Sequence, residues 1–206
     1  VYRPRFYTTR GDALSGTGCI VQVDKSLPPV FITANSLVGN RGGLFRTLAP
    51  SQMRGVVKRI ELVELDTGAL RGDYQSLALA TLGEPNDTRL LRVNGVAAFN
   101  MPSSAANDAG SLATMAAKKG DRVWLLGKDL SKSDGKLQPH AATKADELVG
   151  YELDDAGLSP RGLLGAPVVN VEGEIVAIHS NLYIDKKGIT KGSGIPTYRF
   201  AELLAT

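Results

Sequence analysis

The chain carries two histidines and one cysteine, the side chains best suited to bind a transition metal or to move a proton near neutral pH. His140, His179 and Cys19 lie far apart in the sequence, and none has a partner at H-x-x-H or C-x-x-C spacing. The acidic turn at Glu152–Asp155 has the composition of a solvated loop. We therefore predict no cofactor. A weak, solvent-exposed metal site built on His140 or His179 remains the alternative.

The glycine-rich segment Gly16–Gly18 points to a second kind of chemistry, the binding of a nucleotide phosphate. It lacks the third glycine and the following helix of a dinucleotide fingerprint, so we predict no nucleotide site there. The apolar run Cys19–Val21 follows directly. As the only cysteine of the chain, Cys19 cannot form an intramolecular disulfide, and we expect a buried, inert thiol.

The composition bounds the class of protein. The 206 residues are 43% apolar, enough for one domain or two closely packed halves. The 24 basic and 21 acidic residues give a formal charge of +3, and the basic residues form no continuous stripe. We therefore predict no nucleic-acid binding. No apolar run approaches the ~18 residues of a membrane-spanning helix, so we predict no membrane span within this chain.

Any site must be positioned by short strands. The 23 glycines, with the prolines, break up runs rich in valine, isoleucine, leucine and threonine, which is typical of an all-β protein. The predicted strands lie within residues 15–24, 31–39, 54–67, 74–83, 122–127, 166–171, 174–180 and 193–200. A crossover is predicted near residues 100–118 and a short closing helix within 198–206. This spacing fits two six-stranded barrels, and periodicity alone equally fits a β-sandwich.

One predicted strand, within residues 54–67, alternates between two sets of side chains. Val57, Arg59 and Glu61 form one set, and Lys58, Ile60 and Leu62 form the other. Because successive side chains of a strand point to opposite faces, this pattern predicts a strand with one face in solvent.

Five segments, in this order, carry a resemblance to a known family: "SGTGCIV" at 15–21, "FITANSLVG" at 31–39, "SLALATLGEP" at 76–85, "KKGDRVWLLG" at 118–127 and "RGLLGAPVVNVEGEIVAIHS" at 161–180, followed by "GSGIPTYRF". Together they resemble the protease domain of trypsin-like serine proteases, particularly the HtrA/Deg branch. The resemblance implies an all-β fold of two six-stranded antiparallel β-barrels, residues 1–104 and 105–206. It also favours an extracytoplasmic location.

The resemblance places the family's catalytic triad on residues that cannot perform its chemistry. The histidine position falls on Ser36, the aspartate position on Ser76 and the nucleophile position on Leu164. The triad requires a nucleophile, a base with a pKa near the working pH, and a carboxylate that orients the base. Asp73 could supply the carboxylate only if the alignment moved by three residues, which would reverse the facing of the strand. We therefore predict a pseudoenzyme, a degenerate member without catalysis.

Two alternatives to this prediction stay open, a non-standard nucleophile and a role for a histidine. Ser36 or Ser180 could serve as a non-standard nucleophile of a serine protease. His140 lies in the loop 137–143, for which we predict surface exposure. His179 lies on a strand at a position where the family lines its primary pocket, and it could equally be a packed strand residue.

The family's peptide-binding groove does not depend on the triad, because a peptide docks there as an added strand. The resemblance maps the groove onto the following candidates: Gly162, Leu163, Ile178, His179, Ser180, Asn181, Ser193 and Gly194. The isobutyl group of Leu164 would fill part of this cleft. The leading hypothesis is a non-catalytic HtrA-like scaffold or regulator that binds a protein or peptide, with an active HtrA-like paralogue as one candidate partner. A metal- or small-ligand-binding pseudoprotease is the alternative.

Overall fold

A computed structural model describes residues 1–14, 16–44, 48, 52, 55–69, 95–131, 136–145, 150–155, 158–159 and 162–205. Within them the strands are β1 Tyr2–Thr8, β2 Gly11–Leu14, β3 Gly18–Val21, β4 Val30–Ala34, β5 Val57–Glu64, β6 Val96–Asn100, β7 Arg122–Gly127, β8 Gln138–Lys144, β9 Gly150–Leu153, β10 Pro167–Val169, β11 Ile175–Ile184 and β12 Thr190–Pro196. Short 3-10 helices span Asn35–Leu37, Asn40–Gly42, Ser103–Asp108 and Thr197–Arg199. A single α-helical turn, Ala201–Leu204, follows the last of these.

The first six strands form one sheet in the order β2-β1-β3-β4-β6, with β5 paired to β1. All of these pairings are antiparallel. One face of the sheet buries three phenylalanine rings, in which Phe99 lies 6.3 Å from both Phe6 and Phe31 between ring centroids. Apolar side chains such as Leu62 complete this core because they alternate inward along their strands.

The last six strands close into a barrel in the order β10-β11-β12-β9-β8-β7. The barrel interior is filled by apolar side chains such as Leu125, Tyr151 and Leu163. In the described part of the chain, the pairing of β11 with β10 ends at Ile178, whereas its pairing with β12 continues to Ile184. The strand order confirms the predicted six-stranded antiparallel barrel for the second half and the all-β fold class. The predicted short C-terminal helix is also present, at Ala201–Leu204.

A third apolar cluster lies between the sheet and the barrel. Cys19, Ile32 and Val96 from the sheet are buried in it together with Ile178 and Phe200 from the second half. Burial of apolar surface stabilises a protein by roughly 25 cal/mol for each Å² removed from water. The cluster therefore fixes the two halves against each other, and it confirms the predicted burial of Cys19. The same burial raises the pKa of the Cys19 thiol to about 12, so the thiol stays protonated.

The connection between the two halves runs from β6 to β7 through the 3-10 helix Ser103–Asp108, as expected for the crossover. The domain boundary after residue 104 stays a prediction. The predicted strand within residues 74–83 lies outside the described residues. Among the described residues, none of the helices has both the length and the apolar character needed to cross a membrane.

Six strands depart from the expectations. The hairpin β1–β2 and the pair β8–β9 were not predicted, because arginines and prolines interrupt their apolar patterns. Strand β5 alternates only at its start, and Glu61 is buried instead of solvated. Strand β11 continues four residues beyond Ser180, because a bulge between His179 and Asn181 restores its pairing with β12.

Candidate functional site

The turn Gly162–Gly165 is the local structure that places Leu164. Both of its glycines have left-handed backbone angles, φ +91° at Gly162 and φ +87° at Gly165. Glycine adopts this conformation at little cost, whereas an L side chain is disfavoured there by roughly 1–2 kcal/mol. A Cβ on Gly165 would also overlap the Thr17 carbonyl oxygen and the Thr33 hydroxyl. The sequence Gly-Leu-Leu-Gly therefore folds into a tight turn packed against the first sheet.

Four hydrogen bonds hold this turn from both halves of the molecule. On the sheet side, the Thr17 amide donates to the Leu164 carbonyl at 2.8 Å, and the Thr17 hydroxyl donates to the Gly162 carbonyl at 2.5 Å. On the barrel side, the Gly165 amide donates to the His179 carbonyl, and the His179 amide donates to the Ala166 carbonyl, both at 2.8 Å. The turn is therefore a fixed part of the junction between sheet and barrel.

Ser36 and Leu164, which we predicted at two of the triad positions, lie on elements that meet at this junction. Ser36 lies in the 3-10 helix Asn35–Leu37, directly after β4, and the Asn35 amide donates to the Gly95 carbonyl at 2.7 Å. Gly16 lies between this helix and the turn. A Cβ at Gly16 would overlap the Leu37 side chain and would lie 2.8 Å from the Leu164 carbonyl oxygen. Ser36 and Leu164 are both half-buried. The aspartate position, Ser76, lies outside the described residues.

The groups at these positions limit the chemistry of the site. Leu164 presents a hydrocarbon side chain with no lone pair and no exchangeable proton. Ser36 carries a hydroxyl that is too weakly basic to accept a proton near neutral pH. The hydroxyl of Ser180, the other nucleophile candidate, donates to the Ser193 carbonyl at 3.1 Å. Leu164 and Ser36 therefore differ from the nucleophile and the base that the family resemblance requires at these positions.

The groove candidates lie along the pair β11–β12. Ile178 is opposite Ile195, His179 is opposite Gly194, and Asn181 is opposite Ser193. Ile178 and His179 are buried, whereas Asn181 is exposed. A side chain at Gly194 would be tightly packed, since a Cβ there would lie 3.0 Å from both Ala177 Cβ and the Ile178 carbonyl oxygen.

The remaining groove candidates differ in exposure. Ser180 and Ser193 are half-buried, and so is Gly162, whereas Leu163 is fully buried in the barrel core. The Leu163 side chain packs where a Cβ of Gly127 would stand. The surface available to a ligand therefore comprises Ser180, Asn181, Ser193 and the turn.

Arg41 was not predicted, and it reaches this surface from the sheet. It lies in the 3-10 helix Asn40–Gly42, and its Nη1 donates to the Ser180 carbonyl at 3.3 Å. The two residues are 139 positions apart, and no motif marks Arg41 in the sequence. Only the folded structure brings this cation onto strand β11.

His179 is enclosed in the barrel instead of lining an open pocket. Its ring is 1% exposed, and its Nδ1 is hydrogen-bonded to the hydroxyl of Tyr151, which is 2% exposed. Burial lowers the pKa of His179 to about 3 and raises the pKa of Tyr151 well above its usual range. A neutral imidazole is therefore the form present at physiological pH.

The predicted surface exposure of His140 is wrong. His140 lies on β8 opposite Leu125 and is only 5% exposed, because the segment that we expected to be a loop forms a barrel strand. Within the part of the chain that the structure describes, no group of three or more histidine, cysteine, aspartate or glutamate side chains is placed to hold a metal ion. Neither histidine therefore offers the exposed imidazole that the alternative metal site requires.

Comparison with known proteins supports the fold. No protein-family model matches this chain, and no curated protein matches it in sequence. The chain is similar in structure to the active form of the Rv3671c protease from M. tuberculosis, with a TM-score of 0.60 and 14% identity, covering 99% of this chain and 78% of that one. It is also similar to the serine endoprotease from Yersinia pestis, with a TM-score of 0.61 and 13% identity. That match covers 99% of this chain and 62% of the endoprotease.

A third similar structure is the HtrA-type protease AlgW with a decapeptide, with a TM-score of 0.55 and 14% identity. That match covers 94% of this chain and 51% of AlgW, so the chain spans about half the length of that protease. At these identities the comparisons establish the architecture: the chain has a fold of the trypsin-like serine protease type, and its structural neighbours include HtrA-type proteases.

Proposed function

We propose that this protein is a non-catalytic protease-like module that binds an extended peptide or protein segment along β11. The observation that carries the proposal is Leu164. The turn that the family resemblance assigns to the nucleophile has two left-handed glycines and hydrogen bonds to both halves, and it presents an isobutyl group. A fixed turn without a nucleophile supports binding in place of hydrolysis.

The binding surface would be the outer part of β11 at Ser180 and Asn181. A peptide added as a strand gains affinity from backbone hydrogen bonds, and the residues beside it set specificity. Asn181 is exposed, and Ser180 presents a carbonyl that already accepts one hydrogen bond across the cleft, from Arg41. The AlgW structure contains a decapeptide, which makes peptide binding a reasonable capacity to test in a protein of this fold.

We expect no cleavage of an unfolded polypeptide, together with measurable binding. Reduced and carboxymethylated lactalbumin, labelled with fluorescein, serves as probe for both: gel electrophoresis detects cleavage and anisotropy detects binding. A fluorophosphonate probe should label nothing. Ser193→Trp should abolish binding, because Ser193 lies opposite Asn181 and its carbonyl accepts the Ser180 hydroxyl. Val171→Trp, at an exposed position in the distant hairpin between β10 and β11, is the matched control.

Two results would contradict the proposal. Cleavage that disappears in Ser36→Ala or Ser180→Ala would identify a protease with a non-standard nucleophile. Binding that survives Ser193→Trp would place the ligand elsewhere on the molecule.

A second prediction concerns Arg41. Its guanidinium occupies the approach to the Ser180 carbonyl, the acceptor that a docking peptide would use. Because a net hydrogen bond is worth roughly 0.5–1.5 kcal/mol, Arg41→Ala should tighten binding of the same probe by about two- to tenfold. Arg122→Ala is the matched control, since that guanidinium pairs with Asp154 on the barrel surface. Weaker binding in Arg41→Ala would instead make Arg41 a direct ligand contact.

A further inference from the structure

The outer face of the first sheet carries a group of polar side chains unrelated to the cleft. Along β1 the residues alternate, so that Arg3, Arg5 and Tyr7 point away from the core. The register with β5 places Arg5 opposite Glu61 and Tyr7 opposite Arg59. We call these five residues the arginine face.

The single carboxylate of the arginine face is engaged by two of its members. Glu61 Oε1 pairs with Arg59 Nη2 at 2.8 Å, and Glu61 Oε2 accepts the Tyr7 hydroxyl at 2.7 Å. The Arg59 guanidinium also lies 4.2 Å from the centre of the Tyr7 ring, where a cation–π attraction adds to the ion pair. The Glu61 side chain is only 4% exposed, so both of its oxygens are committed to this arrangement.

Arg3 and Arg5 are left with few partners. Arg3 Nη2 donates to the Leu14 carbonyl at 3.0 Å, and Arg5 Nη1 donates to the Tyr7 hydroxyl at 3.4 Å. In the described part of the chain, the Nε atoms of both residues are buried without a hydrogen-bond partner. Each guanidinium has five N–H donors, so most of this donor capacity is unused.

The charges of the arginine face do not balance around Arg3. The residue opposite Arg3 on β5 is Val63, and Arg3 is half-buried. Burial, and then the neighbouring charge of Arg5, lower the pKa of Arg3. The hydrogen bond with Tyr7, and then the charges of Asp12 on β2 and of Glu61, raise the pKa of Arg5, so Arg3 is the less compensated of the two. A partly desolvated guanidinium beside a like charge is stabilised by an anion that contacts both.

We propose that the arginine face binds a phosphate group, held between the guanidiniums of Arg3 and Arg5. These residues are two apart on one strand, so their Cα atoms are about 7 Å apart and both long side chains reach a common point. A carboxylate offers one edge and one charge, which a single arginine satisfies. A phosphate offers several oxygen edges and up to two charges, which suit two guanidiniums.

The test uses the full chain at constant ionic strength. Calorimetric titration with inorganic phosphate measures the free anion, and sedimentation with phosphatidylcholine vesicles doped with phosphatidic acid measures the phosphate of a lipid headgroup. Arg3→Gln and Arg5→Gln should each weaken binding about tenfold or more, since a hydrogen bond to a charged group is worth ~1.5–3 kcal/mol. Arg3→Lys keeps the positive charge but loses the planar pair of N–H donors of the guanidinium. We expect it to bind with intermediate affinity. Arg122→Gln is the matched control.

Each outcome decides the proposal. Arginine-dependent binding in the calorimeter supports it with a free phosphate as ligand, and arginine-dependent binding only to doped vesicles supports it with a lipid phosphate. Binding in neither arm overturns the proposal, and so does binding that Arg3→Gln, Arg5→Gln and Arg122→Gln leave equally strong.

Discussion

Acidification from neutral pH to about pH 4.5 should lower the free energy of unfolding by about 3 kcal/mol through His179 alone. The pKa of His179 is about 3 in the folded protein, against 6.5 for an exposed histidine, because the ring is buried beside Tyr151. The unfolded chain therefore binds a proton that the folded protein excludes. The stabilisation is complete above pH 6.5 and is lost as the pH falls towards 3, at about 1.4 kcal/mol for each pH unit.

Urea denaturation between neutral pH and about pH 4.5 measures this loss, and His179→Gln should make the curve flatter over the same interval. Carboxylates add a loss of their own near the acid end of this range, because hydrogen bonds lower the pKa of Asp24, Asp154 and Asp185 in the folded protein and the unfolded chain takes up protons first. The difference between wild type and His179→Gln isolates the contribution of the imidazole. Equal slopes for wild type and His179→Gln would show that the buried imidazole does not control the acid sensitivity.

Gly165→Ala should destabilise the protein by about 3 kcal/mol or more. The left-handed angle at φ +87° costs a side chain roughly 1–2 kcal/mol, and overpacking adds about 1–3 kcal/mol. The new Cβ would overlap the Thr17 carbonyl oxygen and the Thr33 hydroxyl, which are buried, and would lie 3.0 Å from the Ala34 amide nitrogen. The turn would have to move away from the sheet.

Gly188→Ala separates the two causes. Gly188 has a similar angle, φ +80°, but a Cβ there has open space around it. We therefore expect only the backbone cost, about 1–2 kcal/mol, in this variant. The difference between the midpoints of the two urea curves measures the steric part. A loss in Gly165→Ala no larger than in Gly188→Ala would mean that the turn adapts to a side chain.

The family resemblance allowed the second barrel to be predicted, because the ordered motifs that carry it are local signals in the sequence. It did not allow the environments of the two histidines to be predicted. His140 stands in a segment with loop-like composition, and pairing with β7 and β9 makes it a strand. The Tyr151 hydroxyl meets His179 only when the barrel closes.

The contact between Arg41 and Ser180 was beyond prediction for the same reason. It joins a 3-10 helix of the first half to a strand of the second, and no sequence pattern connects Arg41 with Ser180. Glu61 shows a further limit, since its polar identity predicted a solvated position. Partners on two strands, Arg59 and Tyr7, allow it to be buried instead. Contacts between distant segments depend on the topology of the fold, and the periodicity within one segment does not predict them.

The hydrogen bonds around the turn have a consequence for how this site can change over generations. Within residues 162–166, every atom that takes part in the four hydrogen bonds described above belongs to the main chain. The architecture therefore depends on the two glycines, on backbone geometry and on the Thr17 hydroxyl, and none of these hydrogen bonds uses the half-buried side chain of Leu164. A lineage can exchange the residue at this position in single mutational steps while retaining a stable, heritable scaffold on which another role can evolve.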